Sequence, residues 1–493
     1  MELFTDMDIN IKLFEEKFEG CEDLVKREVL VGEPPRRIYI AYIDMLTDRR
    51  LIDERILNGV EITVKPVSGE VSAVVPTVDV TQAKELDEVG DAVLTGDTVL
   101  FVDGMQQAVV VATKTWPNRG VQTAENEVVV QGSKEAFTEG FRFNTALIRR
   151  RIKDNRLKVK QMKVGRRSRT NVALMYLDDV VRKPVLSEIE KRIGNIDIDA
   201  ITDCGQLEQL IEDDWISPFP QMQMTERPDK AASAIFEGRI AVIVDNSPHA
   251  IIIPSTFNTF FHSTEDTNER WQIMSLLRGL RFIAGLISVC LPGLYIAMAV
   301  FHPSMLPMLL AFKMAASRQA VPFPAVVEIL IMDAAFELIR EAGIRLPGSI
   351  GGTVGIVGGL IVGQAAVEAG IVSPVVVVII ALTGISGFTI PNYSFTAGFR
   401  LSKYLIILGS AFFGLFGFWA AALLILIHLS SLKSFGVPYM MPFAAGGLNG
   451  GSDLKDSVFR LPLFLMKKRP FFANPVQTDR MKLKKTGNKK GRE

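Results

Sequence analysis

The chain has 493 residues, 48% of them apolar, and its 55 basic residues balance its 55 acidic residues. The charges are unevenly placed, with 33 basic and 46 acidic residues in 1–269, 9 and 5 in 270–430, and 13 and 4 in 431–493. This partition excludes a single soluble globule, and three cysteines with four histidines exclude a disulfide framework and a Cys/His metal cluster.

The chain begins with an acidic segment, residues 1–36, that we expect to be helical. It lacks the basic and apolar regions of a signal peptide. We therefore predict that the first 270 residues form a soluble head that stays in the cytosol.

The head contains a repeated pattern. In each copy a β-branched run ends in an acidic residue (Asp44, Asp178), and an amphipathic helix and a β-hairpin follow. Two pairs of segments match at offsets of 134 and 142 residues: 38–57 with 172–193, and 99–112 with 241–254. The pattern predicts two similar, duplicated α/β domains, residues 37–148 and 171–255. Chance similarity of two strand–helix segments is the alternative.

A basic run separates the two copies. Residues 149–169 include 11 basic residues in 21, and we expect a basic connector over residues 149–170. Such a run is either a solvated segment that pairs with the acidic head, or a contact for phospholipid headgroups or a neighbouring subunit. No aromatic residue interleaves it, so no nucleic-acid partner is expected.

Residues 256–281 are predicted to be an interfacial linker between the head and the apolar region. Aromatic side chains suit the headgroup zone of a membrane, and ordinary packing against the head is the alternative. The aromatic residues concerned are Phe257, Phe260, Phe261 and Trp271.

Residues 282–430 are predicted to be a helical membrane domain, because about 20 apolar residues cross a hydrocarbon core of ~30 Å. The basic tail, residues 431–493, favours a cytoplasmic C-terminus, so an even number of crossings is expected. The domain has five apolar segments: 282–301, 323–339, 350–367, 373–390 and 404–428. We predict four spans plus one amphipathic helix.

The amphipathic helix is the acidic segment 323–339. An acidic residue at the centre of a spanning helix costs about 2.5–3.5 kcal/mol. We expect this helix to lie at the interface, or inside the assembly with its acids toward water or cations. The acids are Glu328, Asp333, Glu337 and Glu341.

A stripe of glycines marks the third segment, with Gly351, Gly355, Gly359 and Gly363 at every fourth position. Small residues at this spacing are typical of close helix packing, and the alternative is a pore-lining helix. Gln364 and Glu368 follow the stripe, where polar groups facing lipid are unfavourable. We take these six residues as the candidate pore or packing site.

The sequence carries no P-loop, dinucleotide fingerprint, nucleophile elbow or metal-ligand spacing. We therefore predict neither an enzyme nor a cofactor or metal site.

Several ordered blocks resemble the A-subunit family of bacterial spore germinant receptors, the GerA type. The resemblance extends from about residue 37 to residue 462. The blocks include QMQMTERPDKAASAIFEGRIAVIVD (221–245), SLLRGLRFIAGLISVCLPGLYIA (275–297), AASRQAVPFPAVVEIL (315–330), IVGGLIVGQAAVEAGIVSP (356–374) and SFGVPYMMP (434–442).

The resemblance implies residence in the spore inner membrane, with several crossings and both termini cytoplasmic. It also implies homo-oligomers beside a transporter-like B subunit and a lipoprotein C subunit, forming a gated channel that releases monovalent cations when germination begins. A non-conducting scaffold that recruits the partners is the alternative, and a secondary transporter is a weaker third. The tail also suits the related stage V sporulation protein AF-like paralogues.

Overall fold

The structure is a computed structural model. It describes residues 1–31, 36–53, 79–115, 124, 127–346, 358–359, 361–444, 454, 456–473 and 478–481. The chain forms two compact units. We call Met1–Asp213, Met222–Pro254 and Leu463–Glu493 the α/β unit, and Asp214–Gln221 with Ser255–Pro462 the helical unit.

The α/β unit contains seven described helices and two five-stranded sheets. Its helices are α1 Met7–Lys17, α2 Arg49–Leu51, α3 Leu86–Thr95, α4 Phe141–Arg151, α5 Lys183–Gly194, α6 Cys204–Ile211 and α7 Pro228–Phe236. The strands of the first sheet are β1 Leu24–Val31, β2 Arg36–Ile43, β3 Val80–Ala83, β4 Thr98–Val102 and β5 Ala108–Val111. Those of the second are β6 Leu157–Val164, β7 Thr170–Leu177, β8 Gln223–Thr225, β9 Ile240–Val244 and β10 Ala250–Ile253.

The two sheets have the same topology. Their strand orders are β1-β2-β4-β5-β3 and β6-β7-β9-β10-β8, and the paired strands are antiparallel. Asp44 and Asp178 directly follow β2 and β7, and Asp103 and Asp245 directly follow β4 and β9. The strands within the matching segments, as far as the structure describes them, therefore occupy equivalent positions in the two sheets.

Both faces of the first sheet are buried. Successive residues of a strand point to opposite faces, and in β2 Tyr39 and Ala41 join one apolar cluster while Ile38 and Ile40 join another. Helices α1 and α3 contribute to the first cluster, for example through Phe14 and Val89. The continuous apolar runs of these strands are explained by this two-sided burial.

The predicted basic connector is wrong, because residues 149–170 are part of the second α/β half. Arg149–Arg151 end α4, Leu157–Val164 form the edge strand β6, and Thr170 begins β7. Along β6, Leu157 and Val159 are fully buried while Lys158 and Lys160 are partly exposed. The lysines alternate with apolar residues, because successive side chains of a strand point to opposite faces. The number of basic residues alone does not reveal this alternation.

One buried ion pair joins the segment before β1 to the second half of the unit. Arg149 is fully buried, and its Nε and Nη2 donate to Asp23 Oδ2 and Oδ1, each at 2.8 Å. Arg149 Nη1 also donates to the Leu157 carbonyl at 3.0 Å. Beside this pair Cys21 forms a β-bridge with Val159 of the edge strand. Two buried charges are tolerated in this geometry, because Arg149 donates two hydrogen bonds to the Asp23 carboxylate and its remaining nitrogen donates to a carbonyl.

The predicted tail divides between the two units. Phe471 and Phe472 are buried in the α/β unit, where the Arg239 guanidinium lies 5.0 Å from the Phe472 ring centroid. Arg182 Nε donates to the Ala473 carbonyl at 3.2 Å. Residues 433–438 belong to the helical unit instead.

The helical unit contains seven described helices. They are α8 Glu265–Asn268, α9 Trp271–Ile296, α10 Met308–Ser317, α11 Ala325–Arg345, α12 361–368, α13 Pro374–Phe388 and α14 Tyr393–Ser431. A 3-10 turn, Phe257–Phe261, precedes them, and a π turn, Ala297–Phe301, extends α9. The short strands β11 Lys433–Ser434 and β12 Val437–Pro438 follow α14.

Helix α14 reverses direction at Gly414. This residue has φ 61° and ψ −136°, values that an L side chain rarely adopts. A Cβ on Gly417 would lie 1.9 Å from the carbonyl oxygen of Gly409, whereas residues eight apart in a straight helix are separated by about 12 Å. The run 404–428, predicted to be one span, is therefore two antiparallel helices, 393–413 and 415–431.

The reversal gives the helical unit two distinct ends. At one end, which we call the base, Phe261 contacts Phe395 and Phe399. At the other end, which we call the tip, Phe301 lies against Gly414. Helices α9 and 393–413 thus run side by side from base to tip, and 415–431 returns to the base.

Helices α11 and α13 run the opposite way. Val376, near the start of α13, packs in one cluster with Ile296 near the end of α9, and Gly387, near the end of α13, lies against Thr396 at the base. After α14, Tyr439 packs on Phe260 at the base. The described beginning and end of the helical unit therefore lie at the same end.

We predict that replacing Arg149 by methionine destabilises the α/β unit, because the Asp23 carboxylate is then buried without its counter-ion. The expected loss in the free energy of local opening of β6 and β7 is about 3–5 kcal/mol. Hydrogen exchange of the full-length protein in detergent measures it.

Arg166→Met is the matched control for this experiment. Arg166 is exposed and pairs with Asp197 and Asp199 at 3.2 and 3.3 Å. Its loss should cost about 0–1 kcal/mol, the range for surface pairs. Equal effects of the two substitutions would contradict the structural role of the buried pair.

Candidate functional site

The helical unit carries a large apolar surface. Among the described residues, two helices are long and apolar enough to cross a membrane, Trp271–Phe301 and Tyr393–Ser431, the second counted through its reversal. Large apolar side chains on these helices are exposed. They include Leu286, Phe412, Phe416, Trp419 and Leu424. An exposed apolar surface of this extent indicates a membrane or protein partner.

The first acid of α11 is satisfied inside the unit. Glu328 is fully buried, and its Oε1 accepts from Arg318 Nε at 3.1 Å. Its Oε2 accepts from the backbone N–H of Ser373, the residue that precedes α13, at 2.9 Å. The carboxylate thus ties α11 to the start of α13 as well as to the end of α10.

Asp333 and Glu337 face basic residues of helix 393–413. Lys403 Nζ lies 2.5 Å from Asp333 Oδ1 and 3.9 Å from Glu337 Oε1. Arg400 Nη1 lies 3.5 Å from Glu337 Oε2, and Arg340 of the same helix also pairs with Glu337. Asp333 and Lys403 are almost completely buried. We call these five residues the ionic cluster.

The cluster changes the interpretation of the acidic helix. The stripe of acids was expected to face water or cations, but the structure turns Asp333 and Glu337 toward protein cations. Sequence reasoning missed Arg400 and Lys403. Arg400 and Lys403 are three residues apart and so lie on one face of their helix, and Asp333 and Glu337 are four residues apart on another helix. This matching spacing of bases and acids could have indicated the pairing. Glu341 is exposed and pairs with Arg345 at 2.7 Å.

A small cavity of about 30 Å³ adjoins the cluster. Its lining includes hydroxyl-bearing residues of three helices, Ser288, Thr383 and Thr396. Asp333 Oδ2 has no hydrogen-bond partner among the described residues. A cavity of this size holds one or two water molecules, and water can satisfy such an atom. The cluster therefore has room for hydration within the unit.

The glycine stripe is described in part. Gly351 and Gly355 lie outside the described residues. A Cβ on Gly359 would meet no atom of the described residues within 4 Å, whereas one on Gly363 would lie 3.5 Å from Val377 of α13. Gly363 thus supports close packing, and the Gly359 face is open.

The two polar residues after the stripe lie on an exposed surface of α12. Gln364 Nε2 donates to Glu368 Oε1 at 2.9 Å, and both residues are exposed. Because Glu368 has no opposite charge among the hydrogen bonds and ion pairs of the described residues, its carboxylate is available to solvent or to a partner.

A second group of charges lies at the base. Asp266 is fully buried. Its Oδ2 accepts a hydrogen bond from Arg278 Nε at 2.7 Å, and its Oδ1 accepts one from Arg281 Nη1 at 2.8 Å. Arg278 Nη1 also lies 2.5 Å from Asp456 Oδ1. Burial lowers the pKa of His262 to about 4, and the Arg278 charge acts in the same direction. Burial would raise the pKa of Asp456, but the Arg278 charge outweighs it, so that pKa is lowered.

The three phenylalanines of the predicted interfacial linker pack against other aromatic side chains of the helical unit. Phe260 and Phe261 are buried, and their rings stack on Phe395 and Phe282 with centroid distances of 5.0 and 4.1 Å. Phe257 packs edge-on against Phe395 at 5.3 Å. Trp271 is 41% exposed. The three phenylalanines therefore pack on aromatic residues of the helical unit, which differs from the expected alternative of packing against the head.

We predict that Lys403→Met destabilises the helical unit by about 3–5 kcal/mol, because Asp333 keeps its charge in an apolar environment without a partner. The double variant Asp333→Leu, Lys403→Met should recover most of this loss. Thermal unfolding of the full chain in detergent compares the variants.

Arg345→Met serves as the control, since Arg345 belongs to an exposed pair. It should change stability by about 0.5 kcal/mol or less. If the double variant is no more stable than Lys403→Met, the pair is not what makes the single substitution costly.

Comparison with known proteins gives the family. The model described as Bacillus/Clostridium GerA spore germination protein matches residues 12–472. Spore germination protein KA of Bacillus subtilis (strain 168) is 38% identical over 468 residues, which cover 94% of this chain and 85% of that protein. Spore germination protein B1 of the same organism is 36% identical over 486 residues, covering 98% and 100%.

A solved structure is also similar. It is the crystal structure of the N-terminal domain of the A subunit of the Bacillus megaterium spore germinant receptor GerK3, with 32% identity and a TM-score of 0.42. The match covers 52% of this chain and 98% of that chain. With the family model matching nearly the whole sequence, the chain belongs to the GerA family of spore germination proteins.

Proposed function

We propose that this protein is the A-type membrane subunit of a spore germination complex, placed in the spore inner membrane with both termini cytoplasmic. The family relationship supports the role in germination. The exposed apolar side chains of α9 and α14 support a membrane location. Both described ends of the helical unit lie at its base, as they must if the chain leaves the membrane on the side where it entered.

We further propose that several copies assemble into a gated channel for monovalent cations. The observation that carries this proposal is the exposed polar surface of α12, where the Gln364 amide donates to the Glu368 carboxylate. The acids of α11 already pair with protein cations, so a path through one chain is disfavoured. A path between chains needs an exposed acid, and a ring of Glu368 carboxylates would attract cations.

A non-conducting scaffold is the second candidate. The same pairing of Asp333 and Glu337 with Lys403 and Arg400 favours it, because charges satisfied within one chain stabilise a bundle without any transport role. Under this view the membrane helices only hold the α/β unit beside its partners.

The partners in this proposal are a transporter-like B subunit and a lipoprotein C subunit, or an equivalent membrane protein. A stage V sporulation protein AF-like paralogue would have the same architecture with other companions. We also propose that the two α/β halves arose by duplication, which their matching segments and equal strand orders support.

The channel predicts a cation flux that depends on α12. Full-length protein with its partner subunits, placed in liposomes loaded with K⁺, should release K⁺ when opened by the activating signal. Glu368→Gln should lower the flux by about tenfold, since each subunit loses one carboxylate of the ring. Gly359→Leu should abolish or alter it, because the side chain would occupy the open face.

Gly279→Leu is the matched control, because a Cβ on Gly279 also meets no atom within 4 Å among the residues that the structure describes, and this helical glycine lies outside the stripe. It should leave the flux unchanged. Absence of flux from a demonstrated oligomer with its partners present would reject the channel and favour the scaffold.

A further inference from the structure

A short loop of the helical unit exposes two adjacent large apolar side chains. The loop is Asp214–Gln221, which is assigned to the helical unit although the residues on either side belong to the α/β unit. Trp215 is 80% exposed and Ile216 is 72% exposed. The exposed fractions of these two side chains are larger than those of most apolar side chains on the helices of the unit.

The Gln221 side chain joins the two ends of the loop by hydrogen bonds to the Asp214 backbone. The Gln221 amide accepts from Asp214 N–H at 2.9 Å and donates to the Asp214 carbonyl at 2.7 Å, and Gln221 is fully buried. Inside the loop, Ile216 N–H donates to Asp214 Oδ1 at 3.0 Å. The two exposed residues therefore sit on a turn that is held in place.

The rest of the loop is fixed to the base. Phe219 is 2% exposed and packs against Phe395 and Phe399, with centroid distances of 6.0 and 5.9 Å. Ser217 Oγ lies 2.9 Å from Nε2 of His428, in the last turn of helix 415–431. Tyr439 Oη donates to the Pro220 carbonyl at 2.9 Å. The loop thus turns Phe219 inward and Trp215 with Ile216 outward at a defined height.

That height matches a membrane boundary. The uncharged run from Phe282 at the base to Phe301 at the tip has 20 residues and rises by roughly 30 Å, the thickness of a hydrocarbon core. The Phe282 ring stacks on Phe261, which contacts the same Phe395 that packs on Phe219. The loop therefore lies where the apolar part of the bundle begins.

The surroundings of the loop also favour lipid. Leu424 and Ile427, in the last turns of the helix that ends beside the loop, are 58% and 56% exposed, so the apolar surface of the bundle continues toward it. Lys433 is exposed just after this helix, and the neighbouring Ser434 Oγ donates to the Gln221 carbonyl at 2.7 Å. A tryptophan, an aliphatic residue and a lysine at one height are typical of the headgroup region.

We propose that Trp215 and Ile216 insert into the headgroup region of the bilayer at the base and fix the depth of the helical unit. The inference rests on the proposed membrane location. It assigns the interfacial role to this loop instead of to Phe257, Phe260 and Phe261, which are occupied by packing. A tryptophan suits the position because its ring is largely apolar while its N–H can remain hydrated.

Tryptophan fluorescence of the full-length protein in vesicles tests the proposal. The chain has four tryptophans, so a variant that keeps Trp215 carries phenylalanine at positions 116, 271 and 419. A matched variant keeps Trp419, which is 67% exposed on helix 415–431. The vesicles contain phosphatidylcholine and phosphatidylglycerol, with lipids spin-labelled near the headgroup or deep in the acyl chain, and iodide is the aqueous quencher.

Trp215 should be quenched about twofold or more better by the shallow label than by the deep one, with weak quenching by iodide. Trp419 quenching by either lipid label reports that the bundle is inserted. If Trp419 is quenched by lipid but Trp215 only by iodide, the anchor is rejected and the membrane location stands. If lipid labels reach neither tryptophan, the membrane location itself fails. Protection of Trp215 from every quencher indicates a protein occupant and also rejects the anchor.

A second measurement uses the wild-type chain and so does not depend on how the variants fold. A lipid with a photoactivatable group near its headgroup should label the peptide that contains Trp215 and Ile216. Exposed acidic peptides of the α/β unit, such as the one around Asp6 and Asp8, should stay unlabelled and serve as the control. Equal labelling of both, or no labelling of the loop, would overturn the proposal.

Discussion

The helical unit depends on the pairing of Asp333 with Lys403 across two helices. Both side chains are almost fully buried, and their charged atoms lie 2.5 Å apart. Burial of a single charge in such surroundings is expensive, so each residue is tolerated because the other is present. The pair fixes the register between α11 and helix 393–413, and Arg400 and Glu337 extend it by one turn. Helix α11, which carries four acids, can therefore pack within the bundle.

This constraint bears directly on function. Acids that are neutralised within one chain do not line a path for free cations in that chain. An acid without an opposite charge among the described residues is exposed on α12, where Glu368 accepts from Gln364 shortly after the glycine stripe. The small cavity beside the cluster is lined by helices other than α12, whereas the open face at Gly359 precedes α12. Together they favour a path formed between subunits, with the cluster as the element that holds each subunit in shape.

Part of the fold was predictable from sequence. The repeated β-branched runs ending at Asp44 and Asp178 gave the correct equivalence of β2 and β7, because strand patterns are local. The edge strand β6 was missed because lysines on its exposed positions dominated the composition. The reversal at Gly414 was missed because a glycine inside an apolar run reads as an ordinary helix residue, and its φ is set by the close approach of Gly409 and Gly417. The basic partner of Asp333, Lys403, was missed because it lies 70 residues away in sequence.

The proposed ion path lies between copies of this chain, along α12. Disulfide cross-linking of a Glu368→Cys variant in native-like membranes tests it most directly, with the natural Cys21, Cys204 and Cys290 replaced by alanine. If copies of α12 meet around an axis, oxidation should link each chain to another copy through residue 368. A chain that stays monomeric under oxidation, while cross-linking at other exposed helix positions shows that it is oligomeric, would contradict the account.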